Sequence, residues 1–282
     1  MLNTAQIHQF EQQGYLVLPG FKSAPEVAAA TARAHELVQA FDPGTQASRF
    51  STRDRSLVAD AALLASAHAV QGFFEEEALD ADHRLRVPKA RSINKIGHAL
   101  HELDPLYRAF SRGPALAELA ADLGLQHPQL RQSQLIFKQP HIGGEVGWHQ
   151  DASFFVTTPQ TVTTLWFALE DATLDNGCLW LEPGGHRGPR GVLREQYICQ
   201  EGQLHMQPLN PTPWPDTSQA VAVPVPAGTL VCLDGLLPHF SAANRSPRSR
   251  LAYTLHVTDG SAHYSPLNWL QPGLEQALRG LD

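Results

Sequence analysis

From about Gln129 onward, the chain is a succession of short segments rich in β-branched and aromatic residues, separated by Gly, Pro and Asn. These segments are "LRQSQLIFKQ", "TVTTLWFALED", "GCLWLEP", "QAVAVPV", "GTLVCLDG" and "SRLAYTLHV". Several strands with turn residues between them are typical of a sandwich or barrel, and not of parallel βαβ units. The pattern therefore predicts a β barrel in this part of the chain.

The first third of the sequence has a different texture, with helices and one strand between them. Ser23 and Glu26 have the spacing of a capping box, which opens an alanine-rich helix. The preceding "YLVL" is predicted to be the strand, and Asp104-Pro105 and Gly113-Pro114 each start a further short helix. These helices are expected to form a layer that supports the barrel.

We expect one domain over residues 1–282, because no change in composition resembles a flexible linker. The expected division is a mainly helical support over 1–128, the β core over 129–262, and a C-terminal tail over 263–282. The predicted fold class is mainly β with a helical layer.

The charge balance restricts the partners. The formal net charge is -7 and 43% of the residues are hydrophobic, as in an ordinary globular protein. Nucleic acids and anionic membranes require concentrated Lys and Arg, so neither is expected as the main partner. A small molecule held by a few local basic groups agrees with this composition.

Three cysteines, Cys178, Cys199 and Cys232, are widely separated and contain no C-x-x-C pair. Neither a disulfide framework nor a structural zinc knuckle is indicated, and a reducing cytoplasm is expected. The N-terminal segment lacks a basic region followed by an apolar one, and no apolar run is long enough to cross a membrane. We therefore expect neither export nor a membrane span.

The segment "GWHQDASFF", residues 147–155, places His149 and Asp151 two positions apart among apolar and aromatic residues. On a strand, residues i and i+2 point to the same face, so the two side chains can bind one metal ion. A bare H-x-D also fits a barrel histidine beside an aspartate that caps a turn. The pair alone does not decide between these interpretations.

A third histidine and an arginine strengthen the metal hypothesis. His239 follows the strand "GTLVCLDG", and Arg250 lies eleven residues later at the start of "RLAYTLHV". Arg250 shares its face of that strand with Ala252 and Thr254, so its guanidinium is buried if this face lines the barrel. Burying an arginine costs several kcal/mol unless it is paired, and its planar fork fits a carboxylate. With no acidic residue clearly destined for the lumen, a ligand's carboxylate is the predicted partner.

Two histidines and one carboxylate with open positions suit a non-haem Fe(II) enzyme that binds a chelating acid and then O₂. Zinc accepts the same side chains, so a zinc hydrolase or isomerase, or a metal-binding barrel without catalysis, stays open at this stage. A hydrolase does not require Arg250. A purely structural barrel is the third possibility.

Four motifs, "GWHQDASFF", "EDATLDNGCLWLEPGGHR", "PHFSAANRSPRSRLAYTLH" and "INKIGHALHELDP", resemble the phytanoyl-CoA dioxygenase family. The similarity covers nearly the whole chain. It implies a double-stranded β-helix (a cupin-like jelly roll), Fe(II), O₂, and 2-oxoglutarate as cosubstrate. By resemblance, His149, Asp151 and His239 are the iron ligands, and Arg250 binds the distal carboxylate of 2-oxoglutarate.

The resemblance also implies that four further residues contact the cosubstrate, namely Lys95, Gln134, Trp166 and Ser241. Other members have a different residue type at the position of Gln134. Read without the resemblance, Trp166 equally fits aromatic packing and Lys95 fits a solvated helix lysine. Family relatives that transfer halide have a small residue in place of the carboxylate, so Asp151 favours hydroxylation or a related oxidation.

The sequence contains further candidate site residues. His141 and His186 lie in glycine-rich turns, and we interpret both as loop residues. His256 shares the face of Arg250, but an ordinary core histidine is the preferred interpretation. The cluster Arg49, Arg53 and Arg55 fits a solvated segment better than a site for an anionic substrate.

Overall fold

The computed structural model describes residues 1–41, 49–50, 61–82, 84–271 and 279–282, of which 49–50 and 61–62 by their backbone alone. The α-helices are α1 (Thr4–Gln13), α2 (Ala24–Ala40), α3 (Ala61–Ala65), α4 (Leu100–Leu103), α5 (Pro105–Phe110) and α6 (Pro114–Asp122). The strands are β1 (Tyr15–Leu18), β2 (Arg49–Phe50), β3 (Val70–Glu75), β4 (Ile93–His98), β5 (Pro128–Lys138), β6 (Val146–His149), β7 (Thr157–Thr158), β8 (Thr163–Ala168), β9 (Leu179–Leu181), β10 (Glu195–Gln200), β11 (Gln203–Pro208), β12 (Val221–Val223), β13 (Leu230–Asp234), β14 (His239–Ser241), β15 (Arg250–Asp259) and β16 (His263–Tyr264).

Two main sheets form the β core. In the described part of the chain, the larger sheet has eight strands in the order β1-β13-β8-β15-β5-β4-β3-β2, and the smaller has four in the order β12-β9-β14-β6. The core pairings are antiparallel, and the long strand β15 lies between β8 and β5. The predicted jelly-roll core is confirmed.

Strand β15 has two chemically distinct faces because side chains alternate along a strand. Leu251, Tyr253, Leu255 and Val257 face the helices and belong to the same buried cluster as residues of α2, α5 and α6. Ala252 lies on the opposite face, between the two sheets. The alternation predicted from "RLAYTLHV" is therefore confirmed, and it turns the arginine and histidine of this strand toward the interior.

The helical layer forms where the sequence provides caps. Ser23 accepts a hydrogen bond from Glu26 N at the start of α2, as predicted, and Asp104 caps α5. Helix α1 is capped by Asn3 through a reciprocal pair with Gln6. Apolar residues of these helices pack on the outer face of the larger sheet, where each fully buried Leu or Phe contributes about 1.5–3 kcal/mol.

The N-terminal third contributes more to the β core than the sequence suggested. Instead of one strand among helices, β3 and β4 extend the larger sheet beyond β5. The segments "VQGFFE" and "INKIGH" form strands because Phe and Ile pack well on a half-buried pleated surface. At the other end, β16 pairs with β7, so the expected tail begins with a strand.

Among the described residues, we find no helix that combines the length and the apolar character needed to span a membrane.

One buried histidine makes the stability of the fold depend on pH. His101, in α4, is 4% exposed, and its Nδ1 lies 2.8 Å from Ser133 Oγ. Burial, and then the charge of Arg112, lower the pKa of His101 from 6.5 to about 3. The unfolded chain therefore binds a proton near pH 6.5 that the folded protein binds only near pH 3, so stability falls as the pH falls between these values.

We expect the variant His101→Gln to be less sensitive to acid than the wild-type protein. Between about pH 4.5 and pH 6, the slope of unfolding free energy against pH should decrease by about 1.4 kcal/mol per pH unit, the equivalent of one proton. Urea unfolding curves at several pH values measure this slope. Equal slopes for the two proteins would show that His101 already titrates normally in the fold.

Candidate metal centre and its pocket

A cavity of about 210 Å³ opens between the two sheets. Its walls come from β4, β5, β8 and β15 of the larger sheet and from β6, β9 and β14 of the smaller one. The strands β10 and β11 and the turn that follows β6 close one side. All eight residues proposed from the sequence as iron or cosubstrate contacts line this cavity.

The structure brings His149, Asp151 and His239 together. Their potential ligand atoms all lie within 4.8 Å of one another. The two histidines face each other because β6 and β14 are neighbours, with His149 opposite His239 in the register. Asp151 is not on the strand, as the H-x-D argument assumed, but begins a short 3₁₀ turn directly after it. The turn still directs the carboxylate toward both imidazoles.

Backbone carbonyl groups fix the tautomers of both histidines. His149 Nδ1 lies 2.9 Å from the carbonyl oxygen of Gly147, and His239 Nδ1 lies 3.0 Å from that of Leu237. Because a carbonyl oxygen can only accept a hydrogen bond, each Nδ1 carries the proton in a neutral ring. The Nε2 lone pairs are therefore left for a metal ion, as in most histidine metal sites.

The carboxylate of Asp151 contacts two side chains of the larger sheet. Thr164 Oγ1 donates to Asp151 Oδ2 at 2.6 Å, and His256 Nε2 lies 3.5 Å from Oδ1. Burial disfavours ionisation, but the imidazoles of His239, His256 and His149 outweigh it and lower the pKa of Asp151. Burial and the neighbouring His239 lower the pKa of His149 to about 4. Near neutral pH the site thus offers a carboxylate and an uncharged His149.

Arg250 lines the cavity and is 2% exposed. Its Nε donates to the Gly177 carbonyl and its NH1 to the Ile136 carbonyl, both at 3.2 Å. Its guanidinium also lies over the Trp166 ring, 5.7 Å from the centroid. Burial lowers the pKa of Arg250 to about 10, so it remains a cation at neutral pH.

The other residues proposed by resemblance line the same cavity. Ser241 and Trp166 are buried, and Gln134 donates its amide to Gln132. Lys95 lies on strand β4, so the alternative of a solvated helix lysine is wrong. Burial lowers the pKa of the Lys95 ammonium to about 7. We call this part of the cavity, with Arg250, Ser241, Trp166, Gln134 and Lys95, the arginine side.

Another part of the cavity wall is aromatic. Phe154 stacks on Tyr197 with ring centroids 4.4 Å apart, and Phe155 packs against His256. Leu63, Leu204 and Trp269 complete this wall and belong with Phe155 and Tyr197 to one buried cluster. We call this part the aromatic side.

Sequence reasoning missed several residues around the site. His256, interpreted as an ordinary core histidine, contacts Asp151 and lines the cavity. Thr164 precedes Trp166 by two positions on β8, so strand alternation could have placed it on the same face. Lys138 is 1% exposed and lies directly opposite Arg250 in the β5–β15 register. Its Nζ donates to the Gly144 carbonyl at 2.6 Å and to the Ser241 carbonyl at 3.2 Å.

Gln150, between the two ligands of the H-x-D motif, connects the site to the surrounding loops. Its side chain is fully buried, and its Nε2 donates to the carbonyls of Val192 and Leu236 at 3.0 and 2.7 Å. Its Oε1 accepts from Arg194 N at 3.1 Å. One amide thus holds the H-x-D segment to the loop that precedes His239.

The rival histidines lie where the sequence placed them. His141 and His186 are in loops, and each has a ring nitrogen within 3.1 Å of a backbone carbonyl. The basic cluster cannot be placed in the same way, because Arg53, Arg55 and the side chain of Arg49 lie outside the described residues.

The variant Thr164→Val should bind metal about 10- to 100-fold more weakly than the wild-type protein. It removes the hydroxyl that orients Asp151, and the loss of such a partner typically costs this much affinity. Titration with Co(II), followed by its visible absorption, gives the Kd. Thr254→Val is the matched control, because Thr254 Oγ1 lies in the same cavity without a hydrogen bond among the described residues. Equal losses in both variants would contradict a specific role for Thr164.

The chain is similar to known proteins over most of its length. The family model described as phytanoyl-CoA dioxygenase (PhyH) matches residues 10–252. A phytanoyl-CoA dioxygenase of Arabidopsis thaliana is 43% identical over 271 residues, covering 96% of this chain and 94% of the plant protein. Phytanoyl-CoA dioxygenase domain-containing protein 1 of Bos taurus is 44% identical over 279 residues, covering 96% and 95%. The similarity thus extends over nearly the full length of both relatives.

Solved structures share the fold at lower identity. EctD from S. alaskensis, crystallised with 2-oxoglutarate and 5-hydroxyectoine, is 22% identical with a TM-score of 0.64, covering 99% of this chain and 87% of EctD. The non-heme alpha ketoglutarate dependent carbocyclase SnoK is 20% identical with a TM-score of 0.63, covering 94% and 87%. These similarities agree with the jelly-roll architecture of the two sheets.

Proposed function

Because the chain belongs to the phytanoyl-CoA dioxygenase family, we propose that it is an Fe(II)- and 2-oxoglutarate-dependent dioxygenase that oxidises a small molecule. The observation that carries this proposal is the convergence of His149, Asp151 and His239 in a cavity that also contains a buried arginine. We further propose that residues 1–282 form one catalytic domain. The three unpaired cysteines agree with a cytoplasmic location.

The donor set fits Fe(II). Two imidazole nitrogens and one carboxylate leave coordination positions open for a chelating ligand and for O₂. Zinc can use the same side chains, but a zinc hydrolase or isomerase has no need of a buried cation in the same cavity. The buried Arg250 therefore favours iron and a dicarboxylate over the zinc alternative.

The arginine side is the proposed site of 2-oxoglutarate. Arg250 would bind the distal carboxylate, because its fork gives two charge-assisted hydrogen bonds in a region shielded from water. Ser241 lies two residues from His239 and can share this carboxylate. Trp166, under the guanidinium, keeps Arg250 in place, and Gln134 and Lys95 provide polar groups along the same wall. Lys138 would hold the Ser241 backbone in position.

When bound, Fe(II) supplies the activation of O₂ that couples decarboxylation of 2-oxoglutarate to oxidation of a substrate C–H bond. With hydroxylation, the balanced products are succinate, CO₂ and an alcohol. The carboxylate of Asp151 occupies the place that a halide would need, so hydroxylation or a related oxidation is the proposed outcome. The aromatic side excludes water from the metal and faces the substrate.

Conversion of 2-oxoglutarate to succinate tests this proposal. Purified protein with Fe(II), ascorbate and O₂ should form succinate without added substrate at a low rate, and faster with a substrate from a metabolite extract. The variant His239→Ala should form none. Tight zinc binding without any succinate, under conditions where Fe(II) also binds, would favour the hydrolase or binding-protein alternative.

A further inference from the structure

The cavity has a polar group that the proposed reaction does not use. His98, the last residue of β4, is 1% exposed and lines the cavity, and its ring contacts Trp269 of the aromatic side. Its ring packs edge-on against Trp269, with centroids 5.2 Å apart, and lies 5.8 Å from Phe73. The imidazole is thus held rigidly among apolar neighbours.

The proton on the His98 ring can be located from its contact with Ser66. Ser66 Oγ lies 2.6 Å from the Leu63 carbonyl oxygen and 2.8 Å from His98 Nδ1. Two oxygen atoms at this separation share a hydrogen, and only the serine hydroxyl can provide it. The hydroxyl proton is therefore directed to Leu63, so Ser66 Oγ accepts a hydrogen bond from His98 Nδ1–H.

This arrangement leaves Nε2 of His98 as a lone-pair acceptor. The ring is neutral, because burial, together with the charges of Lys95 and His256, holds the pKa of His98 well below its usual range. Nε2 has no hydrogen bond among the described residues, although the ring borders the cavity. An acceptor that borders the cavity in this way can take a hydrogen bond from a ligand with a matching donor.

We propose that His98 Nε2 recognises the substrate by accepting a hydrogen bond from an O–H or N–H group. The inference rests on the proposed function, which assigns the arginine side to 2-oxoglutarate and leaves the aromatic side for the substrate. The inference specifies the chemical class of that substrate, which is a molecule with an apolar or aromatic body and a hydrogen-bond donor. Ser66 takes no part in binding but positions the lone pair by fixing the tautomer.

The first test measures the tautomer directly. In protein with isotope-labelled histidine, long-range proton–nitrogen NMR distinguishes a protonated ring nitrogen from an unprotonated one. The His98 signals are assigned by their loss in His98→Gln. We expect protonated Nδ1 and unprotonated Nε2 in the wild-type protein, and a mixture of tautomers in Ser66→Ala. Protonated Nε2 in the wild-type protein would overturn the proposal.

The second test compares two probes that differ in one donor, benzyl alcohol and benzyl methyl ether. The full chain is loaded with zinc, a diamagnetic substitute for iron, and the Kd of each probe is measured by NMR titration. One hydrogen bond should make the alcohol bind about three- to tenfold more tightly than the ether. His98→Phe, which keeps an aromatic ring but no acceptor, should abolish this preference. His98→Gln, which keeps an acceptor oxygen near the position of Nε2, should retain it.

The outcomes separate this inference from the proposed reaction. Equal affinity for the two probes, the same preference in His98→Phe, or no binding on the aromatic side would each overturn the role of His98. None of these measurements requires turnover. Failure to form succinate would instead overturn the proposed oxygenase activity while the probe preference persists.

Discussion

Replacing Asp151 with alanine should abolish both metal binding and succinate formation in a protein that remains folded. The variant loses the only carboxylate among the three converging side chains, and two imidazoles alone bind a hard divalent ion weakly. Removing a group that only hydrogen-bonds to a metal ligand typically lowers metal affinity 10- to 100-fold. Loss of the ligand itself should therefore weaken Fe(II) binding by more than about 100-fold. Anaerobic titration with Fe(II) and the succinate assay measure the two effects.

A buried aspartate remote from the cavity provides the control. Asp259 is 3% exposed and accepts hydrogen bonds from Ser261 N and Ser261 Oγ at the end of β15. Asp259→Asn should lower the thermal stability yet leave the Kd for Fe(II) unchanged. If Asp151→Ala kept wild-type affinity, the three-residue metal site would have to be abandoned.

Arg250→Met should raise the KM for 2-oxoglutarate strongly and leave metal binding intact. Removing one partner of a buried charge pair costs about 2–5 kcal/mol, which corresponds to roughly 30-fold to several thousandfold in affinity. Arg250→Lys keeps the charge but loses the fork that fits a carboxylate, so its KM should lie between those of Arg250→Met and the wild-type protein. Steady-state succinate formation against 2-oxoglutarate concentration gives these values.

Arg131 is the matched control for the loss of a buried guanidinium. It is 6% exposed, donates to Thr258 Oγ1 at 2.7 Å, and lies over the Tyr264 ring, outside the cavity. Arg131→Met should destabilise the fold without changing the KM for 2-oxoglutarate. A comparable KM increase in both variants would mean that Arg250 acts through stability and not through contact with the cosubstrate.

Strand alternation explains how much of the architecture could be predicted. The pattern of "RLAYTLHV" separates the helix-facing residues from those that face the interior, and both faces agree with the structure. Caps at Ser23 and Asp104 likewise predicted helix starts, because the capping side chain is local in sequence. The position of β4 was not predictable, because "INKIGH" mixes apolar and polar residues that suit helix and strand equally.

The composition of the site depends on contacts between distant segments. Thr164 and His256 meet Asp151 only because β8 and β15 are neighbours in the larger sheet, a pairing that no local pattern specifies. The tautomer of His98 depends on a serine 32 positions earlier in the chain. Sequence reasoning therefore identified residues that carry chemical groups, but not the partners that orient them.

The hydrogen bond from the Gln150 amide to the Leu236 carbonyl affects how the segments around the three metal ligands open. Any local opening that frees the segment before His239 must also break a hydrogen bond made by the residue between the other two ligands. Local opening of the segment before His239 is thus coupled to opening of the segment that contains His149 and Asp151. Hydrogen exchange at these backbone amides should consequently slow together when an ion is added, as for a single cooperative unit.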